Sequence, residues 1–151
     1  MKNIETRLAV LINVYGEGAD EGTPTKAQWR HLLETESAGK TTLINFFKMR
    51  DTAEYPGTSI YAQNPGTGEQ AFMRYAEVSV PTLEKVGGNF LLHGPFDGMF
   101  TGDAEDWDVI VVGTYPNRGA VLALFENADY QSAFVHRSAA CSRQKVFICG
   151  A

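Results

Sequence analysis

The chain has 151 residues, of which 44% are hydrophobic and 21% charged, and its formal net charge is -5. This length suits one domain with a sizeable core, and no apolar run reaches the roughly 20 residues of a membrane-spanning helix. The acidic balance, without a cluster of lysines or arginines, argues against a surface that follows nucleic-acid phosphates. We therefore expect neither nucleic acid nor a membrane as a partner.

The two cysteines, Cys141 and Cys149, lie eight residues apart near the C-terminus. That spacing matches no zinc motif, and two thiols do not make the disulfide framework of a small secreted protein. An acidic residue, Glu5, and the lack of a small-residue cleavage site disfavour a secretory signal at the start of the chain. The sequence therefore predicts two reduced thiols, buried or half-buried, in a cytoplasmic protein.

Residues 1–38 are predicted to form an extension packed on the rest of a single domain spanning 1–151. The run LAVLINVY at residues 8–15 favours a buried strand by its length and its Val and Ile content, although its apolar positions also fit helical spacing. A helix then begins either at Thr23-Pro24 or at Thr25, where Gln28 completes a capping box. The extension is thus predicted as a strand followed by a helix.

The first strand of the main unit is predicted over residues 40–50, where both faces are largely apolar. Asn45 is the single polar amide among its bulky residues. A long loop, residues 51–66, leads to a helix that begins at the capping box Thr67-Gln70 and ends at Gly87-Gly88. Pro81 lies inside this helix and predicts a kink or a restart.

The second half of the chain alternates in the same way. Asn117 is the predicted cap of one short helix, and Asp129 is the predicted cap of another that reaches about Ser142. The strands are predicted at residues 89–94, 107–115 and 145–149. From residue 40 onward the order is β-α-β-β-α-β, which predicts an α+β, ferredoxin-like fold with an antiparallel sheet.

Two glycine motifs and three histidines invite chemical interpretations that fail. Gly39-Lys40-Thr41-Thr42 lacks the first glycine of a phosphate-binding loop and follows a helix instead of a strand. Gly66-Thr67-Gly68 follows no strand, as a dinucleotide-binding loop must. The histidines, His31, His93 and His136, have no ligand spacing. We therefore predict no metal site and no bound cofactor.

The residue pattern resembles the DUF1330-type families of the dimeric α/β-barrel superfamily over about residues 24–149. The resemblance is carried by the order and spacing of Asn45, Arg50, Tyr55-Pro56, Gly87-Gly88, Trp107, Tyr115-Pro116, Tyr130 and His136-Arg137. It implies a homodimer in which two four-stranded sheets close into a barrel with the helices outside. A second apolar face of the sheet, with Phe47, Val109 and Val111 or their neighbours pointing away from the helices, supports that dimer because monomers seldom expose so large a patch.

Haem-degrading relatives in that superfamily use an asparagine on the first strand, a tryptophan and a histidine of the second helical region. Asn45 and His136 have roughly these placements. The tryptophan lies ten residues before the histidine in that pattern, and here that position is Glu126. Trp107 belongs to a different strand, so the resemblance to haem monooxygenases is incomplete.

Arg137 follows Tyr130 by seven residues, which places both on one helix face with Phe134 between them. The arginine either pairs with a carboxylate such as Asp106 or Asp108, or recognises an anion at a pocket rim. Ligand-binding candidates are therefore Asn45, Arg50, Tyr115, His136 and Arg137, in an otherwise apolar cleft.

Two functions stay open at this point. One is a dimer that binds a small apolar or aromatic ligand in the barrel cleft. The other is a monooxygenase or isomerase-like enzyme of the same superfamily.

Overall fold

The computed structural model describes residues 3–18 and 22–150. Along the chain its elements are α1 (Ile4–Tyr15), α2 (Lys26–Glu34), β1 (Thr41–Met49), α3 (Gly68–Lys85), β2 (Asn89–Pro95), β3 (Val109–Tyr115), α4 (Arg118–Phe125), α5 (Ala128–Ala140) and β4 (Cys141–Gly150). The strands form one antiparallel sheet in the order β2-β3-β1-β4. The predicted α+β, ferredoxin-like order is confirmed. The sheet of one chain stays open, with β2 and β4 as its edges.

The N-terminal extension contains two helices, so the strand predicted at residues 8–15 is wrong. Leu8, Leu11 and Tyr15 are spaced three and four residues apart, and all three are buried on one side of α1. Asn3 caps this helix by accepting a hydrogen bond from the backbone N–H of Glu5 at 2.7 Å. The short Val- and Ile-containing run is therefore an amphipathic helix whose stripe packs on the core.

Side-chain caps set most of the helix boundaries. Thr25 begins α2 and Thr67 begins α3, each within a complete capping box, as the sequence predicts. Asn117 caps α4 as predicted. Asn127 caps α5 by accepting from the backbone N–H of Tyr130 at 3.0 Å, so the predicted cap at Asp129 is wrong by two residues. The last strand begins directly at the end of α5, four residues earlier than predicted.

The longest helix, α3, has 18 residues and continues through Pro81. The predicted restart at this proline is therefore wrong. The proline lies on the exposed side of the helix, where the carbonyl that it leaves unpaired remains accessible to water. Across the described ranges, no helix is both long and apolar enough to cross a membrane.

The two faces of the sheet have different surroundings. Phe47 and Val111 pack with Ala71 of α3, so they face the helices. Their sequence neighbours Phe46 and Val112 consequently face away, because side chains alternate along a strand. Val109 is the register partner of Phe47 and packs against the same cluster. Phe47, Val109 and Val111 are therefore inward, and their neighbours, the alternative that the sequence left open, point outward.

The extension shares one core with the ferredoxin-like unit. The Tyr15 ring contacts Trp29, Phe125 and Phe134 with ring centroids 5.6, 5.5 and 5.1 Å away. Arg7 also joins the extension to the end of α4 by an ion pair with Glu126 at 2.7 Å, and it pairs within the extension with Glu36 at 2.6 Å. The first two helices therefore cover the end of the core instead of forming a separate unit.

Replacement of Leu11 by alanine tests this packing. The Leu11 side chain has no exposed surface, so we expect Leu11→Ala to lower the free energy of unfolding by about 2–5 kcal/mol. Urea unfolding measures the loss. The neighbouring Val10 is half exposed, and Val10→Ala should change the stability by no more than ~0.5 kcal/mol. Equal, small effects of both substitutions would show that the extension does not contribute to the core.

Candidate functional site

A cavity of about 1190 Å³ lies against the inner, helix-covered face of the sheet. Its lining is mainly aromatic and aliphatic, with a few hydroxyl, amide and charged groups. The strands contribute Leu43, Asn45, Phe47, Val111, Gly113, Tyr115, Gln144, Val146 and Ile148, and the helices contribute Phe72, Tyr75, Ser79, Leu83, Tyr130 and Arg137. The lining also includes four residues that contact one another and the outward-facing Phe46: Glu105, Trp107, Arg143 and Lys145. This mixture is typical of small-molecule sites.

Gly113, on the central strand β3, leaves open space in the floor of the cavity. The nearest atoms to a methyl group added there would be Leu83 Cδ1 and Tyr115 Cε2, each at 3.7 Å, and the Tyr115 hydroxyl at 3.9 Å. These are ordinary van der Waals distances, so neighbouring side chains do not force a glycine at this position. The missing side chain therefore enlarges the cavity beside the Tyr115 hydroxyl.

Arg137 is the one charged side chain that is both buried and part of the inner lining. Only 6% of its surface is exposed. Its Nε donates to Gln144 Oε1 at 2.7 Å, and its Nη1 donates to Tyr75 Oη at 3.2 Å. The guanidinium also lies over the rings of Phe47 and Phe134, 4.9 and 5.2 Å from their centroids. The predicted common face of Tyr130, Phe134 and Arg137 is thus the buried face of α5.

The predicted carboxylate partners of Arg137 are engaged elsewhere. Lys48 donates to Asp106 at 3.0 Å and to Asp108 at 3.3 Å, and the backbone N–H of Met49 donates to Asp108 as well. Both carboxylates lie at the start of β3, where the strand leaves the loop. The expected pairing of Arg137 with either aspartate is therefore wrong.

Three tyrosines surround the guanidinium. The hydroxyls of Tyr75 and Tyr130 are 2.7 Å apart and share a hydrogen bond. Burial raises the pKa of Tyr115 and of Tyr130 above the ordinary value, and in each case the neighbouring Tyr75 adds to the rise. Tyr115 and Tyr130 consequently stay neutral and keep an O–H donor at physiological pH.

The guanidinium of Arg137 stays protonated in these surroundings. Burial alone would lower its pKa, because it disfavours the charged form. The phenol groups of Tyr75 and Tyr130 outweigh burial and hold the pKa above its usual value. The cavity therefore contains a permanent positive charge.

Asn45 lies in the floor of the cavity on β1. Its Nδ2 donates at 3.1 Å to the backbone carbonyl of Val111, the register partner of Asn45 on the adjacent strand β3. This bond holds the amide in place beside the cavity and leaves its Oδ1 as an acceptor. Asn45, Tyr115 and Arg137 are the three predicted site residues that the fold brings to one cavity.

Arg50 and His136 do not line that cavity. Arg50 follows β1 and pairs with Glu54 at 3.2 Å. His136 precedes Arg137, so it points about 100° away around the helix and faces the loop of residues 51–66. Its Nδ1 is 2.6 Å from the Tyr55 hydroxyl, and its ring meets Tyr61 edge to face.

The contacts of His136 anchor this long loop on the helices. Arg74 Nη1 donates to the Tyr55 oxygen at 3.0 Å and to the Pro65 carbonyl at 2.8 Å. The Tyr55 O–H is then available to donate to His136 Nδ1, which must be unprotonated to accept it. Burial, with the nearby Arg74 charge, lowers the pKa of His136. The cluster therefore favours a neutral histidine.

These positions do not form the haem site expected from the partial resemblance to haem-degrading monooxygenases. His136 is directed to the loop by its bond with Tyr55. Glu126, at the position of their tryptophan, is paired with Arg7 on the side of the N-terminal extension. Only Asn45 of that pattern lies in the cavity, so the residues of this chain do not fit haem there.

Sequence reasoning missed the polar groups of the site that lie on α3 and β4. Tyr75 and Ser79 are four residues apart on the buried side of α3, and Gln144 faces inward from β4. Hydroxyls at i and i+4 within a buried helical stripe were a usable signal. Gln144 had no comparable signal in the sequence. Its contact with Arg137 depends on the position that β4 takes in the sheet beside β1.

Comparison with known proteins gives a family but no activity. Residues 60–151 match the model of a domain of unknown function, DUF1330. No protein with a curated description matches the chain.

Among solved structures, RPA0582, a protein of unknown function from Rhodopseudomonas palustris, is 26% identical with a TM-score of 0.74. The match covers 85% of this chain and 95% of that protein. Its methylated form has a TM-score of 0.75 at 26% identity, over 85% of this chain and 93% of that one. A dimeric, ferredoxin-like protein of unknown function from Bacteroides fragilis is 14% identical, with a TM-score of 0.46, over 75% of this chain and 97% of that chain.

The lowered pKa of His136 predicts a pH-dependent contribution to stability. The unfolded histidine has a pKa of about 6.5, so below this pH the unfolded chain takes up the proton more readily than the folded chain. The contribution of the neutral His136 imidazole to the free energy of unfolding is complete above about pH 6.5. It declines as the pH falls through the lowered pKa of the folded state. We therefore expect the stability advantage of the wild type over His136→Gln to be smaller at about pH 5.5 than at about pH 7.5.

Urea unfolding at both pH values measures this difference, with His93→Gln as the matched control. His93 is exposed on the edge strand β2. An advantage over His136→Gln that stays constant, or grows toward acid pH, would contradict the proposed role of the neutral imidazole.

Proposed function

The chain belongs to the DUF1330 family, and we propose that it binds a small apolar or aromatic molecule in the cavity between its helices and its sheet. The main support for this proposal is the composition of the cavity lining, in which aromatic and aliphatic side chains surround a few fixed polar groups. Protein interiors are otherwise packed as densely as organic crystals. A space of this size against a central strand therefore supports an occupant.

The rigid floor supports the same proposal. Asn45 is tied to the backbone of β3, and Gly113 contributes no side chain to the space beside it. Phe47 and Phe72, whose ring centroids are 4.9 Å apart, provide an aromatic wall. A flat, apolar ligand gains burial against such surfaces without moving the sheet.

We also propose that the protein is a homodimer joined through the outward face of the sheet. Leu92, Val112, Ile44 and Phe147 are register partners, so they form one continuous row across all four strands. The two edge members, Leu92 and Phe147, are 53% and 47% exposed. A contiguous apolar surface of this kind is stabilised when a second copy covers it.

We propose a cytoplasmic location from the state of the thiols. Cys141 and Cys149 are both free, and Cys149 is exposed. Burial raises the pKa of Cys141 to about 11, so this thiol is a poor nucleophile. The exposed free thiol of Cys149, at the other end of β4, fits a reducing compartment.

Filling the floor of the cavity tests the ligand proposal. The neutral fluorophore N-phenyl-1-naphthylamine should bind the wild type saturably with increased emission. Gly113→Leu places a bulky side chain in the space beside Tyr115, and we expect at least about a tenfold weaker affinity, or ~1.4 kcal/mol.

Gly57→Leu is the matched control, because Gly57 is exposed in the loop and has open space around it. Its affinity for the fluorophore should equal that of the wild type. Absence of saturable binding by the wild type, or equal affinities of the three proteins, would contradict binding in this cavity.

The dimer proposal is tested by a charge at the centre of the outward row. The wild type should sediment at micromolar concentration with twice the chain mass of 16.6 kDa. Ile44→Lys places an ammonium group between Val112 and Phe147 and should sediment as a monomer, because desolvating that charge in an interface is unfavourable. Met73→Lys, on an exposed side of α3, should leave the dimer intact. A monomeric wild type would refute the proposal.

A further inference from the structure

We infer that the cavity contains an anion subsite at Arg137, so that its ligand is an aromatic or apolar carboxylate. This inference rests on the proposed binding function and specifies the chemical class of the ligand. It depends on the contacts of one buried guanidinium and on the polar groups beside it.

Arg137 lacks a counter-ion in the described part of the chain. None of the ion pairs formed there includes it. Its immediate surroundings are the rings of Phe47, Phe134 and Tyr75 and the amide of Gln144. Burial of a guanidinium without an anion is costly, because neutral neighbours replace only part of its hydration, and the Arg137 residue is only 6% exposed.

A count of hydrogen-bond donors shows that the guanidinium has unused capacity. It carries five N–H groups. One is used by Gln144 and one by Tyr75. Nη2 makes no hydrogen bond to the described residues, yet it is not among their enclosed polar atoms without a partner. Since Arg137 lines the cavity, this nitrogen is accessible from the cavity space.

Within residues 3–18 and 22–150, the lining offers no free carboxylate to this charge. Its one acidic member, Glu105, accepts from Lys145 Nζ and from Trp107 Nε1. Those partners lie with the outward face of the sheet, beside Phe46. The missing negative charge is therefore supplied most simply by the ligand.

Two further groups are available to the same anion. Tyr115 Oη and Ser79 Oγ belong to buried lining residues, make no hydrogen bond within the described ranges, and are not among the enclosed unpartnered atoms. Each supplies an O–H donor, and a carboxylate accepts from hydroxyls and from a guanidinium alike. A single buried cation matches one carboxylate better than a phosphate dianion.

Two naphthyl compounds of nearly equal shape test this inference. We expect 2-naphthoate, which is negatively charged, to bind the wild type at least about tenfold more tightly than neutral 2-naphthamide by isothermal titration calorimetry. In Arg137→Met the two affinities should become equal, and the affinity for 2-naphthamide should stay close to that of the wild type. Arg30→Met, which removes an exposed arginine of α2, should keep the preference for 2-naphthoate.

Each remaining outcome is decisive. Equal affinities of the wild type for the two compounds would overturn the subsite. A preference for 2-naphthoate that survives in Arg137→Met would also overturn it, because the anion would then bind another cation such as Arg143 or Lys145. Binding of N-phenyl-1-naphthylamine without a carboxylate preference would leave the proposed function intact and refute only the subsite. No binding of either naphthyl compound refutes the carboxylate ligand. If Arg137→Met does not fold, Arg137→Gln serves instead, because glutamine keeps polar groups near Gln144 and Tyr75 without the charge: its affinities for 2-naphthoate and 2-naphthamide must become equal, and a preserved preference overturns the inference.

Discussion

Arg137 carries a full positive charge where α5 meets α3 and the sheet, and the groups around it are arranged to tolerate that charge. Gln144 supplies an oxygen from β4, Tyr75 supplies another from α3, and aromatic rings cover the faces of the guanidinium. These contacts fix its position but do not neutralise it. A buried ion without a partner is tolerated only where the rest of the structure holds it firmly or a ligand completes it. The cavity beside Arg137 is where we propose that this ligand binds.

The sheet explains why the cavity and the outward surface occur in one small protein. Both faces of its central strands are apolar, but α3 and α5 cover only one of them. On the covered face, Gly113 contributes no side chain to the floor of the cavity. On the other face, the row through Ile44 is apolar, and its edge members are exposed. The proposed ligand site and the proposed dimer interface thus lie on opposite faces of one sheet.

The fold was largely predictable because its signals are local. The capping boxes at Thr25 and Thr67 and the apolar run that forms β3 each identify an element without tertiary information. The run at residues 8–15 was misassigned because a short apolar segment fits both periods, and only burial of Leu8 and Leu11 on one stripe distinguishes them.

The site was less predictable because it depends on side chains that the fold brings together from distant positions. The seven-residue spacing from Tyr130 to Arg137 correctly indicated one helix face. It did not show that Asp106 and Asp108 would bind Lys48, which leaves Arg137 without a carboxylate partner in the described part of the chain. His136 was a reasonable candidate from the sequence. In the structure the adjacent Arg137 faces inward, so the imidazole of His136 lies on another side of the helix and contacts Tyr55. Such choices between adjacent residues follow from the rotation of a helix on the sheet.

A crystal structure with bound 6-bromo-2-naphthoate tests the central claim most directly, because anomalous scattering from bromine locates the ring system independently of the carboxylate. We predict a bromine peak in the cavity between α3, α5 and the sheet, with the carboxylate in hydrogen-bond contact with Arg137 Nη2. A bromine peak confined to the outward face, or a ligand in the cavity whose carboxylate points away from Arg137, would contradict the claim.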